Sequence, residues 1–225
     1  MAAWQHFKRM ALLDLVLPPA CAGCSRYGSV LCHRCLGSLR QPRAATDRFL
    51  APDAGVVIGD ALELAIAAFA YDGPLRRALA GLKYGSAARV ATPLADRAAG
   101  CLGLLTDLAG SATLVPVPVH AERLRQRGYN QAALLAAALA KRNRLPVADP
   151  LVRRRATTQQ HRLDRAARLR NLRDAFVLRA DARPPPVVIL VDDILTTSAT
   201  LEACAAVLRA AGASRVLGFA VAREV

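Results

Sequence analysis

Three stretches of this 225-residue chain hold residues whose types and spacing could do chemistry. The first is Pro186 to Thr200, reading PVVILVDDILTTSAT. Two adjacent carboxylates, Asp192 and Asp193, are followed at short distance by Thr196, Thr197, Ser198, Ala199 and Thr200. Small hydroxyl residues at a helix start leave backbone N–H groups free for an anion. Carboxylates beside them suit hydroxyls or a metal ion. A ribose 5-phosphate carries both kinds of group. The second stretch is Cys21-Ala-Gly-Cys24, seven residues, then Cys32-His-Arg-Cys35. Paired CxxC turns aim four sulfurs at one point, the donor set of a closed tetrahedral zinc site with a structural role. A redox pair or a disulfide is the alternative, disfavoured where thiols stay reduced. The third stretch places Arg123, Arg125 and Arg127 before Gly128-Tyr129-Asn130-Gln131, a second anion-binding corner.

These residues need elements to hold them. Val187 to Val191 is apolar and mostly β-branched, as in a buried parallel strand. Leu201, Ala205, Leu208 and Ala211 then recur at helical spacing up to Gly212. The order is strand, acidic corner, hydroxyl loop, helix. An ordinary strand end with Ser198 or Thr197 as helix cap explains one hydroxyl, but not two carboxylates and three more hydroxyls. A Walker B strand is a poorer match, because no GxxxxGK[ST] occurs in the chain. Leu114 to Val119 reads as a second strand that its prolines end at 116 or 118, with an Ala/Leu helix to Lys141 beyond the arginines. Strands are also expected at 64–71, 176–178 and 216–221, and helices at 74–83 and 92–108. A Lys at a helix end is ordinary dipole complementation, yet Lys83 is retained as a pyrophosphate contact. Met1 to Pro19 reads as a short amphipathic helix that covers the chain's own core, and 41–60 as a linker. His33 reads as a solvated bystander, Cys101 and Cys204 as core residues.

Composition narrows the function classes. A hydrophobic fraction of 54% supports a core that Ala, Leu and Val must fill, since aromatics make up only 4%. No apolar run is long enough to cross a membrane, and the run at 11–17 is a poor signal peptide, so the expectation is a cytoplasmic protein with no membrane span. The net charge is +14, and residues 121–183 hold 16 Lys+Arg against 5 Asp+Glu. Such a field suits a polyphosphate or nucleic acid. The segment from Arg153-Arg154-Arg155 to Arg173, with Thr157 to Gln160, reads as a loop followed by a helix, of the kind that closes over a charged substrate.

The VDDxxTTxAT stretch resembles the binding fingerprint of type I phosphoribosyltransferases. Together with the double CxxC, LKY at 82–84, PVPxH at 116–120 and RxRxRGYNQ at 123–131, it resembles the ComF family of phosphoribosyltransferase-like proteins, of competence and GntX type. The resemblance covers residues 15–223. Ser198 stands where that family usually has Gly, and Tyr129 where Phe is commoner. The resemblance implies that Asp192 and Asp193 hold the ribose hydroxyls of phosphoribosyl pyrophosphate, with Mg²⁺ bridging ribose and pyrophosphate. It implies the 5′-phosphate at Thr196, Thr197, Ser198, Ala199 and Thr200. Arg127, with Arg123 and Lys83, would stabilise pyrophosphate, and Arg154 with its neighbours would close over it. The expected architecture is an α/β domain at 61–225, a type I phosphoribosyltransferase-like parallel sheet flanked by helices, behind a helix and zinc module at 1–40. The expected function is phosphoribosyl transfer to a nitrogen acceptor such as a nucleobase. The alternative is a DNA-uptake accessory in natural transformation that binds single-stranded DNA or a DNA motor, with the phosphoribosyl site regulatory or vestigial. Scarce aromatics weigh against single-strand stacking platforms.

Overall fold

The computed structural model describes residues 18–41, 59–83, 86–154 and 174–224, without the side chains of residues 83, 86 and 87. The expected N-terminal helix, most of the linker, and the Arg/Gln-rich loop and helix at 155–173 lie outside the described residues. Four parallel strands form the central sheet: β1 (Leu64–Ala70), β2 (Thr113–Pro116), β5 (Val187–Leu195) and β6 (Arg215–Arg223), in the spatial order β1-β6-β5-β2. A separate antiparallel pair joins β3 (Leu151–Arg153) to β4 (Phe176–Leu178). The α-helices among the described residues are α1 (His33–Gly37), α2 (Gly73–Lys83), α3 (Ala91–Ala109), α4 (Ala121–Arg127), α5 (Gln131–Asn143) and α6 (Ala199–Ala210), with a 3-10 turn at Ser86–Val90 before α3.

Both faces of the sheet are covered, which is why its central strands are continuously apolar rather than alternating. Ile189 and Val191 of β5, with Leu217, Phe219 and Val221 of β6, pack under α2, α3 and α5. Their neighbours Val188, Leu190, Val216 and Ala220 face α6, Leu151 and Phe176. Helix α3 buries Leu94, Ala95, Ala98, Leu102 and Leu105 along one stripe, the three-to-four spacing of an amphipathic helix. Small residues let α6 approach closely. A Cβ on Gly218 would stand 2.8 Å from Leu201 Cδ1 and 3.0 Å from Ala65 Cβ, so a side chain there would have to displace the Leu201 side chain that packs on it. Glu202 fixes the same helix from its first turn, its carboxylate accepting the backbone N–H groups of Gly59, Ala61 and Leu62 at 3.1 Å each. The cysteine segment shares the main core: Cys21, Leu31, Cys35 and Leu39 belong to the cluster that contains Leu75 and Leu79 of α2.

Candidate functional site

The parallel sheet dictates where a site can form. After β2 the chain enters α4 and α5, and α5 packs on one face of the sheet through Leu135 and Leu139. After β5 it enters α6, which packs on the other face through Leu201, Cys204 and Leu208. Two adjacent parallel strands whose connections leave to opposite faces open a crevice at their C-terminal ends. A cleft of about 850 Å³ lies there, lined by Asp192, Asp193, Thr200, Arg123, Arg127 and Arg153 among others.

The acidic pair reaches this cleft for a reason of strand length. Pairing of β2 with β5 stops at Pro116 opposite Val191, while β5 stays paired with β6 to Leu195. The strand therefore runs through the carboxylates instead of ending before them, as composition suggested. Beyond Val191 it has lost its β2 neighbour, and both Asp192 and Asp193 line the gap. Asp192 Oδ1 accepts the Asp193 backbone N–H at 2.8 Å, which fixes that carboxylate. The hydroxyl loop follows and enters α6 at Ser198, which has φ 56° and ψ 0°. This is the left-handed conformation, on a residue with a Cβ at a position where the resembled family usually has Gly. Ser198 makes no capping bond, and its Oγ is buried with no hydrogen-bond partner among the described residues. Simple helix capping by Ser198 is thereby excluded. Thr200 lines the cleft, Thr196 is exposed, Thr197 is half-buried and Ala199 is buried.

The arginine corner is a helix, not an irregular loop. His120 caps α4 by accepting the Glu122 N–H at its Nδ1, and Gly128 (φ 79°) ends the helix. On a helix, positions four apart share a face and the residue midway points away. Arg123 and Arg127 accordingly line the cleft with Gln126, whereas Arg125 is not among the lining residues. Asn130 then caps α5 through Ala132 N–H at 3.0 Å, and its Nδ2 donates to the Val117 carbonyl at 2.9 Å. One side chain thus ties the new helix to the end of β2. The third cation comes from β3. Arg153 lines the cleft, while Arg154, just past the end of β3, is exposed and is not among the lining residues. Arg153 lies over the Phe176 ring, 5.3 Å from its centroid. Burial first, then the Arg123 charge, lowers the Arg153 pKa, and the Asp192 charge opposes this. Burial first, and then Asp192, pushes the buried Cys204 thiol up. Three cations and two carboxylates thus line one cleft, close enough for Arg153 and Asp192 to feel each other's charge. Lys83 ends α2, but its side chain lies outside the described atoms. The one signal that could have singled out Arg153 was the period-two alternation with the buried Leu151.

The four cysteines converge as their spacing implied. Their sulfurs all lie within 4.8 Å of one another, with Cys21 to Cys35 at 3.8 Å and Cys24 to Cys32 at 3.7 Å. Zinc–sulfur bonds of about 2.3 Å in a tetrahedron put sulfurs about 3.8 Å apart, so this set fits one ion such as zinc. Burial raises the Cys21 thiol, but the N–H groups of Cys32, Gly23 and Cys24 outweigh it and bring the pKa to about 6. The Cys35 N–H lowers Cys32, while burial and the neighbouring sulfurs raise Cys35. A Cβ on Gly23 would sit 2.8 Å from Cys35 Sγ, so only glycine lets this backbone reach the sulfur cluster.

No family model matches the sequence. The chain is similar to "Competence protein F" of Haemophilus influenzae, 35% identical over 113 residues that make up 49% of each chain. It is also similar to "DNA utilization protein YhgH" of Escherichia coli K12, 34% identical over 113 residues, 50% of this chain and 49% of that one. "Competence protein ComFC" of Bacillus subtilis is 35% identical over 112 residues, 49% of this chain and 44% of that one. The chain spans about half the length of the curated relatives it matches. Among solved structures, an orotate phosphoribosyltransferase from Aeropyrum pernix covers 64% of this chain and 61% of its own at 23% identity, with a TM-score of 0.33.

Proposed function

We propose that this protein binds phosphoribosyl pyrophosphate with Mg²⁺ in the cleft between β2 and β5 and transfers the phosphoribosyl group to a nitrogen acceptor. The observation that carries the reading is one cleft lined by Asp192, Asp193 and Thr200 together with Arg123, Arg127 and Arg153. A ligand with sugar hydroxyls between a phosphate and a pyrophosphate offers a partner to each of these groups. In transfer, the bond from the anomeric carbon to the pyrophosphate oxygen breaks, the electron pair leaves with pyrophosphate, and the acceptor nitrogen bonds to that carbon. Asp192 and Asp193 would hold the ribose hydroxyls. The free end of α6 with Thr200 would take the 5′-phosphate, and Arg127 and Arg123 would stabilise the leaving group, a charge that grows as the bond breaks. Bound Mg²⁺ would neutralise part of the pyrophosphate charge. Lys83 and Arg154 remain contacts to be tested. The four cysteines would hold a structural zinc.

The test is thermal. A ligand at about a hundredfold excess over its dissociation constant stabilises the folded state by about 2.7 kcal/mol, a rise of about 5–10 °C for a chain of this size. Phosphoribosyl pyrophosphate with Mg²⁺ should give this rise and ribose 5-phosphate a smaller one. Asp192→Asn with Asp193→Asn should remove most of it without lowering the melting point of the free protein, because adjacent carboxylates repel. No rise at millimolar ligand would end the reading. Pyrophosphate release across a nucleobase panel then tests catalysis and names the acceptor.

A second reading is favoured by the names of the similar proteins, competence and DNA utilization. In it the basic segment at 121–183 binds single-stranded DNA or a DNA motor, and the cleft serves as a ligand sensor.

A further inference from the structure

Helix α2 touches both the cysteine cluster and the arginine corner. Toward its N-terminal half, Arg77 Nε donates to the Gly23 carbonyl at 2.6 Å, inside the first CxxC turn. Pro74 packs so closely on the same glycine that a Cβ on Gly23 would come within 3.1 Å of the Pro74 Cβ. In its last turn, the Leu82 carbonyl accepts the Tyr129 hydroxyl at 2.8 Å. A helix leaves its last four carbonyls without internal partners, so this hydroxyl meets a real need of the helix end. Tyr129 lies between Gly128, which ends α4, and Asn130, which caps α5. Arg77 and Leu82 are five residues apart, about 7.5 Å along the axis, too short a span for a helix to bend appreciably. Leu75, Leu79 and Leu82 of this helix are fully buried, so it cannot swing independently of the core.

We propose that α2 is a strut through which the four-cysteine cluster positions the Arg123–Arg127 wall of the cleft, with Tyr129 and Arg77 as its positioning residues. This inference rests on the cleft being the ligand site, but the strut itself does not depend on which ligand binds. The metal-filled cluster holds the Gly23 turn in one shape, and the Arg77 bond and Pro74 contact hold α2 to that turn. The Tyr129 hydroxyl then holds the junction of α4 and α5, and so the aim of Arg123 and Arg127, to the other end. Because coupling between two sites is reciprocal, a ligand in the cleft must also tighten the hold on the metal.

Two measurements on the full-length, metal-loaded protein test the proposal. The first follows transfer of zinc to a chromophoric chelator, with and without phosphoribosyl pyrophosphate and Mg²⁺. The ligand should slow zinc loss about fivefold in the wild type and by less than twofold in Tyr129→Phe and in Arg77→Met, both folded and loaded with metal. An equal slowing in all three proteins overturns the strut. So does no slowing in a wild type that the ligand nevertheless stabilises thermally. The second needs no ligand: amide hydrogen exchange in Arg77→Met against wild type. Exchange at 128–131 should speed up at least fivefold while the amides of β5 stay unchanged; equal protection at 128–131 overturns the proposal. If the sugar phosphate fails to bind the wild type at all, the functional reading falls and the exchange result alone decides the strut.

Discussion

Ser198 concentrates the energetic tension of the site. A side chain in the left-handed region costs about 1–2 kcal/mol, and its buried Oγ has no partner among the described residues. An unsatisfied buried hydroxyl adds about 1–3 kcal/mol. Glycine relieves both, at the cost of greater freedom in the unfolded chain, about 0.5–1 kcal/mol. Ser198→Gly should therefore raise the melting point of the free protein by several degrees, about 1–2 kcal/mol in a denaturant titration, and keep phosphate affinity, because backbone N–H groups do that binding. A destabilised variant would mean that the hydroxyl has a partner of its own in solution. The arginines give a sharper contrast. Arg123 and Arg127 share the face of α4 that lines the cleft and Arg125 does not. Removing a charged hydrogen bond costs about 1.5–3 kcal/mol, so Arg123→Ala should weaken phosphoribosyl pyrophosphate binding about tenfold or more by titration calorimetry, and Arg125→Ala less than twofold.

At the scale of elements, the cysteine segment is built as part of the core. Its Cys21, Leu31, Cys35 and Leu39 are buried in the main core cluster with residues of α2 and α3, and the Arg40 guanidinium pairs with Asp72 just before α2. The Ala70 N–H, at the end of β1, donates to the Arg40 carbonyl at 2.9 Å. A metal here stabilises more than its own turns. Purified protein should hold about one equivalent of zinc by elemental analysis. Cys24→Ser, at an exposed position, should lose it and lower the melting point by about 5 °C or more, since about 2 kcal/mol suffices for that shift in a chain of this size. Metal-free protein with an unchanged melting point would contradict a structural role.

Across the whole molecule, charge is distributed with the architecture. The acidic pair sits at the end of β5, and the excess positive charge lies in 121–183, which includes α4, α5 and β3. A purely local anion site and an extended nucleic-acid surface differ in how salt affects them. If single-stranded DNA binds along this face, log affinity should fall with log salt at about −0.7 per phosphate contacted. Phosphoribosyl pyrophosphate should compete only for the contacts inside the cleft. A slope of about −3 or steeper that the sugar phosphate leaves unchanged would favour the DNA reading.

What the sequence by itself determined is whatever depends on near neighbours in the chain. The two CxxC turns, the apolar run into Asp192 and Asp193 and the hydroxyl loop before a helix are all set within a few residues, and each was legible. The helix expected at 92–108 and the strands expected at 64–71 and 216–221 also formed, as α3 at 91–109 and the strands at 64–70 and 215–223. Tertiary structure decided what depends on which strand lies beside which. Arg123, Arg125 and Arg127 read alike as one anion-binding corner, and the helical turn of α4 put two of the three in the cleft. Composition ended β5 at Val191, yet β6 stays alongside to Leu195 while β2 stops at Pro116. That difference in pairing length exposes both carboxylates to one cleft. Arg153 enters from the short β3–β4 pair, and the Tyr129 hydroxyl meets the Leu82 carbonyl across 47 residues of chain. No local pattern encodes such a contact, because it exists only once the sheet has brought two distant helix ends together.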